Sequence, residues 1–213
     1  MSHHILLSCD EIYYKEWTMN CARSIQHHVP WMQITINLVN TTDTVEKIPG
    51  IRYHHTEIDF SGFRSPVAYY QASRFLVADE LFKDTDHVML LDCDTVCTRS
   101  FSPEEFVEIC SRVSVLWNQK SGRWLAGLVT LGANLDFIKE YKRHLLLADP
   151  SRWSYGYDQD ALKNLAQQFN FSPVTFGQWI SLGKGSGIFL TLKGSQKQKS
   201  KYLDLFRQKS QFI

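Results

Sequence analysis

The stretch His87-Val-Met-Leu-Leu-Asp92 constrains the fold more than any other in the chain. Successive strand side chains point to opposite faces, so the consecutive apolar residues Val88 to Leu91 need cover on both sides. Such a strand belongs in a mostly parallel sheet packed between helices. The chain around it has the matching rhythm. A short buried strand is expected in "HHILLSCD", and "YYKEWTMNCARSIQHH" follows with Tyr14, Trp17, Cys21 and Ile25 on one helical face. The segment "WMQITINLVN" alternates, with Met32, Ile34, Ile36 and Leu38 on one side, and "IRYHHTEIDF" reads as a third strand. A helix over "VAYYQASRFLVADELF" turns Ala72, Phe75, Leu76 and Phe82 inward.

After the acidic end of the central strand, Ser102, Pro103 and Glu105 start a helix with a cap, a first-turn proline and a capping-box acid. Strands are expected in "SVLWN" and "WLAGLVTLG", and helices in "LDFIKEYKRHLLL" and "DQDALKNLAQQF". The end, "WISLGKGSGIFLTLKGSQKQKSKY", reads as a loop, a strand and a basic tail. This order predicts an α/β chain: a single-domain, doubly wound, mixed but mostly parallel sheet flanked by helices.

Composition narrows the function. The 213 residues hold no internal repeat and no Gly/Ser-rich or Pro-rich linker, so one domain over 1–213 is expected. A net charge of +1 argues against a nucleic-acid partner, which a broad basic surface would attract. No apolar run approaches the roughly 20 residues of a membrane span, and no secretory leader is legible at the start. The five cysteines are odd in number and form no Cys-x-x-Cys pair, which points to reduced thiols and a cytoplasmic setting.

The chemistry begins at Asp92-Cys93-Asp94. Spacing of two returns both carboxylates to one side of the strand end and turns Cys93 to the other. Two adjacent carboxylates repel unless a cation lies between them. Oxygen ligands of this kind suit Mg2+ or Mn2+, which keep coordination positions for phosphates. Two enzyme classes use such a pair. In a haloacid-dehalogenase-like phosphatase, Asp92 would be the nucleophile, and the following Thr95-Val96 suits that reading. That motif, however, normally ends the first strand of its domain, whereas here 91 residues precede it.

The second class fits more of the chain. The segments quoted above resemble, in order and spacing, family eight of the metal-dependent, A-type-fold glycosyltransferases, the group of glycogenin and the bacterial lipopolysaccharide galactosyltransferases. Ser8, Cys9, Asp10 and Tyr13 match the turn that holds uridine, and Arg74 matches a basic residue on the helix ahead of the acid pair. Asp92, Cys93 and Asp94 match the DxD motif, with Asp92 and Asp94 as the metal ligands. Gly127 in "WLAGLV" matches the small-residue stretch. Asp158 and Gln159 match the pair near the anomeric carbon, and Lys197 matches a lysine that meets the diphosphate. The resemblance implies a UDP-sugar donor, a Mn2+ or Mg2+ cofactor, a carbohydrate acceptor and retention of anomeric configuration. It divides the chain into a nucleotide-binding half, 1–100, and an acceptor half, 101–213. It further implies that residues from about Gly183 to Lys201 close over the diphosphate.

Two positions depart from the pattern. Leu125 replaces an Asn that contacts the sugar, a role Asn118 or Gln119 is then expected to fill. Thr191 replaces the His that is the third metal ligand. Both departures keep a non-catalytic sugar-nucleotide-binding module open beside the two enzymes. For Arg74, phosphate contact competes with a salt bridge to Asp79 or Glu80.

Overall fold

The computed structural model describes residues 2–42, 45–83, 86–132, 135–182, 186–191 and 204. Its centre is a seven-stranded sheet. The strands in chain order are β1 (His3–Cys9), β2 (Gln33–Val39), β3 (Arg52–Thr56), β4 (His87–Leu91), β5 (Thr95–Cys97), β6 (Ser114–Asn118), β7 (Arg123–Thr130), β8 (Ser172–Thr175), β9 (Ile180–Leu182) and β10 (Phe189–Thr191). The large sheet runs β3-β2-β1-β4-β7-β6-β8, and only β7 is antiparallel to its neighbours. The expected α/β architecture with a mostly parallel mixed sheet is thus present. A second, three-stranded sheet, β5-β10-β9, follows β4 directly.

Burial explains the order. Val88, Met89, Leu90 and Leu91 are all fully buried; Met89 and Leu91 join one core, Val88 and Leu90 the other. β1 does the same with Ile5 and Leu7 against Leu6. β2 departs from the one-sided strand its alternation suggests, because its polar residues are inside as well. Thr35 and Asn37 are 1% and 0% exposed. They are tolerated because they are bonded: Arg52 Nε donates to Thr35 Oγ1, and Thr56 Oγ1 donates to Asn37 Oδ1.

The first helical segment, α1, runs Glu11–Tyr13, passes through a π turn at Tyr14–Thr18 and continues as Met19–His28. Asp10 caps it, accepting from Tyr13 N at 2.7 Å. Tyr14, Trp17, Cys21 and Ile25 are buried as the helical spacing requires. The other helices are α2 (Pro66–Leu81), α3 (Pro103–Cys110), α4 (Asp136–Leu146) and α5 (Tyr157–Leu165). α3 opens with the expected reciprocal capping box between Ser102 and Glu105. α1 and α3 pack in one core, α2, α4 and α5 in the other. Phe75 of α2 lies 4.6 Å from Tyr141 of α4, centroid to centroid. A fully buried side chain of that size contributes roughly 1.5–3 kcal/mol, enough to set one helix against the next.

The short strands β5, β8 and β9 are additions to the sequence reading, which has only one strand in the stretch holding β9 and β10. β9 and β10 approach closely around Gly187, where a Cβ would lie 2.7 Å from the Ile180 carbonyl carbon. All five cysteines are unpaired and buried. Among the described residues no helix is long and apolar enough to cross a membrane.

Candidate functional site

The strand order reverses beside β1: the chain winds outward to β2 and β3, then returns to place β4 on the opposite flank of β1. In such sheets the crevice beyond the carboxyl ends at the reversal is where ligands bind. A cleft of about 690 Å³ opens there, within the range of small-molecule sites. Ser8 and Cys9 line it from the end of β1, Asp10 and Tyr13 from the start of α1, Asp92, Cys93 and Asp94 from beyond the end of β4, and Arg74 from α2. Gly127, Asp158 and Gln159 complete the expected set. Every predicted site residue within the described parts of the chain therefore meets in one cavity. Lys197, and most of the segment expected to close over a diphosphate, lie outside the described residues.

The local roles differ from several expectations. Arg74 bonds neither Asp79 nor Glu80; both of those acids pair with Lys142. Instead Arg74 is 3% exposed, forms an ion pair with Asp92 Oδ1 at 2.7 Å and donates an N–H to the Ala126 carbonyl at 2.7 Å. Burial opposes its charge, but Asp92 and Asp158 outweigh that and raise its pKa further. Arg74 Nε has no hydrogen-bond partner.

Ser8 is committed to the scaffold. Asn37 Nδ2 donates to Ser8 Oγ at 2.8 Å, and Ser73 Oγ donates to the Tyr70 carbonyl. The 2.7 Å contact between Ser8 and Ser73 then leaves Ser8 as its donor, and both hydroxyls are satisfied. Asp10 likewise spends Oδ1 on the α1 cap. Tyr13 donates its hydroxyl to Asp94 Oδ2 at 3.1 Å. Burial first, then Asp94, hold that phenol protonated. Cys93 points its thiol back to the Ser8 carbonyl, at 3.1 Å.

Gly127 sits across from the acid pair. A Cβ there would lie 3.0 Å from Asp92 Oδ2, so a glycine leaves that oxygen room. Asp92 N–H donates to the Gly127 carbonyl, which locks the two strands at this point. Asp158, in the first turn of α5, is 3% exposed, and its Oδ1 accepts from Gln159 N–H at 2.9 Å. Burial pushes its carboxyl up to about 6; Arg74 pulls it down, and Asp92 pushes it further up. Asn118 and Gln119 do not line the cleft. Asn118 Oδ1 instead accepts from Lys120 N–H in the β6–β7 turn, and the place of the missing Asn is taken by the apolar wall of Leu116 and Leu125.

Among the described lining residues, four carboxylates against one guanidinium give a formal charge of −3. Thr191, 8% exposed, adds an Oγ1 with no hydrogen-bond partner to the same lining. Among the described residues no group of three or more His, Cys, Asp or Glu is arranged to hold a metal. An ion bound here would therefore be held by the carboxylates of Asp92 and Asp94 and the Thr191 hydroxyl. That all-oxygen set fits Mg2+ or Mn2+ with positions left for phosphate.

Sequence reasoning passed over Val67, Tyr70, Gln71 and Tyr155, which also line the cleft. The first three share a helix face with Arg74 at the i, i+3, i+4, i+7 spacing, a pattern that looks the same whether the face meets a core or a cavity. A scan against protein-family models finds no match for this chain, and a search of the curated proteins finds none either.

Proposed function

We propose that the chain is a metal-dependent glycosyltransferase of the A-type fold that moves a hexose or deoxyhexose from a UDP-sugar to a hydroxyl of a carbohydrate. The observation that carries this reading is the pairing of Asp92 and Asp94 in a cleft whose described lining residues sum to a formal charge of −3, at the topological reversal of the sheet. A bare diphosphate is repelled by such a lining, whereas a diphosphate entering with a divalent cation is not. The cation, when bound, neutralises the diphosphate and the charge that develops on the departing nucleotide.

The chain's own residues hold the reacting parts. Arg74 pairs with Asp92, and the Tyr13 hydroxyl donates to Asp94. Preset acceptors of this kind need no reorganisation during the reaction. Gln159 N–H holds the Asp158 carboxylate at the sugar end. The C1–O bond to the diphosphate breaks, the acceptor oxygen bonds C1, and the acceptor proton passes to the leaving diphosphate oxygen. Gln159 is a poor nucleophile, so attack on a short-lived oxocarbenium pair from the leaving-group side gives retention. A covalent intermediate on Asp158 is the competing route. The phosphatase reading has less support, because Asp92 Oδ1 is engaged by a buried arginine rather than aimed as a nucleophile.

The test is a panel of nucleotide sugars incubated with the chain and Mn2+ or Mg2+. UDP release from at least one UDP-sugar, lost in excess chelator and in Asp92→Asn, supports the reading. Full turnover in chelator, or phosphate release from simple monoesters in place of UDP release, rejects it.

A further inference from the structure

The cleft changes character along α2. At the inner end of the Val67-Tyr70-Gln71-Arg74 stripe, Arg74 is buried against Asp92. At the outer end, Val67 is 51% exposed. Seven residues of helix separate the two ends by about 10 Å. Tyr155 lines the same cleft from another loop. The next residue, Gly156, takes φ +83°, and its N–H donates to Gln71 Oε1 at 3.2 Å. That bond ties the Tyr155 loop to the middle of the stripe.

Within the run Trp153-Ser-Tyr-Gly-Tyr157, the outer two aromatics stack on each other, 5.2 Å between centroids, and Trp153 is 1% exposed. Tyr155 is 78% exposed yet lines the cleft. A lone exposed aromatic is ordinary. This one shares its cavity with a second exposed apolar side chain, Val67, and with two side-chain amides, Gln71 and Gln159. Gln159 N–H donates to the Gly156 carbonyl, so its residue is anchored to the same turn and stands next to Asp158. None of these four side chains carries a charge.

We propose that Val67, Tyr155, Gln71 and Gln159 form the acceptor subsite, and that its ligand is a neutral pyranoside ring. This rests on the glycosyltransferase reading of the inner cleft. A pyranoside has an apolar C–H face and a rim of hydroxyls. The phenol ring and the valine cover the face. The amides both donate and accept, as the rim hydroxyls do. An uncharged subsite disfavours a phosphosugar or a second nucleotide diphosphate, and the calorimetry below separates a sugar from a bare base stacked on Tyr155.

The test uses the full chain with UDP and Mg2+ present, and methyl hexopyranosides and methyl pentopyranosides as probes. Saturation-transfer NMR should mark ring C–H protons of at least one probe. Tyr155→Ala should cut that transfer roughly fivefold or more, and Tyr155→Phe should restore it. UDP affinity by calorimetry should stay within about twofold in both variants, because the ring stands outside the nucleotide end. No transfer to any probe, or transfer that survives Tyr155→Ala, overturns the proposal. A fall in UDP affinity in Tyr155→Ala also overturns it, by making the ring part of a base site. Failure of the wild-type chain to bind UDP sinks the donor reading instead, and is seen in the calorimetry alone.

Discussion

At the carboxyl end of the large sheet, Arg74 and Asp158 lie buried beside an open cleft and keep company with Asp92. At the amino end, His3, His4 and His87 lie among rings. His3 packs edge-on against Trp31 and Phe106, and His4 lies 4.9 Å from Phe82. His4 Nε2 is 2.8 Å from Ser2 Oγ, which donates to Asp86. Both ends leave buried polar atoms without a partner: Arg74 Nε and Thr191 Oγ1 at one, the Nδ1 atoms of all three histidines at the other. The difference lies in how charge is treated. The amino end suppresses it, for burial lowers the pKa of His3 and of His4. At the carboxyl end one cation holds acids that would otherwise repel each other. Buried polarity alone does not make a site; sustained charge facing a cavity does.

That contrast can be broken experimentally. The largest effect is expected from Asp94→Asn. The Tyr13 hydroxyl can still donate to the amide oxygen, so the fold should persist while UDP release falls at least about 100-fold. UDP-sugar affinity should drop only with divalent cation present, as calorimetry with and without chelator would show. If turnover survives, the acids at the carboxyl end are as inert as the histidines opposite.

Next comes Arg74→Met, which strips the cation from Asp92 and Asp158. Asp92 is 37% exposed and recovers some hydration, so the cost should be roughly 2–4 kcal/mol in urea titration, below that of a fully buried broken pair. A cost under about 1 kcal/mol would mean that Arg74 is a passenger.

The third is a pH experiment. The folded pKa of Asp158, about 6, stands above its ordinary 3.8. The folded chain therefore binds this proton more tightly than the unfolded chain does. Its stabilising share is complete below about 4 and is lost as pH rises to about 6. Asp158→Asn should gain roughly 1–3 kcal/mol over wild type at neutral pH and nothing at pH near 4. The histidine end has the opposite sign. His4 is held below 6.5 when folded, so its share is present above 6.5 and lost as pH falls below it. His4→Gln should flatten that acid-side loss, the smallest of the four effects, measured as the slope of stability against pH below 6.5. Equal slopes in variant and wild type would show that the ring does not titrate on unfolding.

Much of the fold was legible because its strands are apolar enough to declare themselves. Val88 to Leu91 announced a doubly covered strand, and Ser102 to Glu105 announced a helix start. β5 and β9 are three residues each, too short to show a period, and β8 contains Pro173. The candidate site was legible where it lies at strand ends. Its internal wiring was not. Asp79 and Glu80 stand five and six positions beyond Arg74, which puts neither on its helical neighbour positions. The true partner, Asp92, sits on another element, and chain distance does not report that. Residue type likewise does not report that the Ser8 hydroxyl is already bonded to Asn37 and Ser73, or that one Asp10 oxygen caps a helix.

The small sheet has a mechanical consequence. Asp92 leaves the last residue of β4, in the large sheet, and Asp94 enters the first residue of β5, in the small one. The two acids thus straddle a joint, with Cys93 as the pin and its thiol fastened to the Ser8 carbonyl. A shift of one sheet against the other would change the separation of the two carboxylates. Anything gripping both acids at once acts as a rivet through the joint.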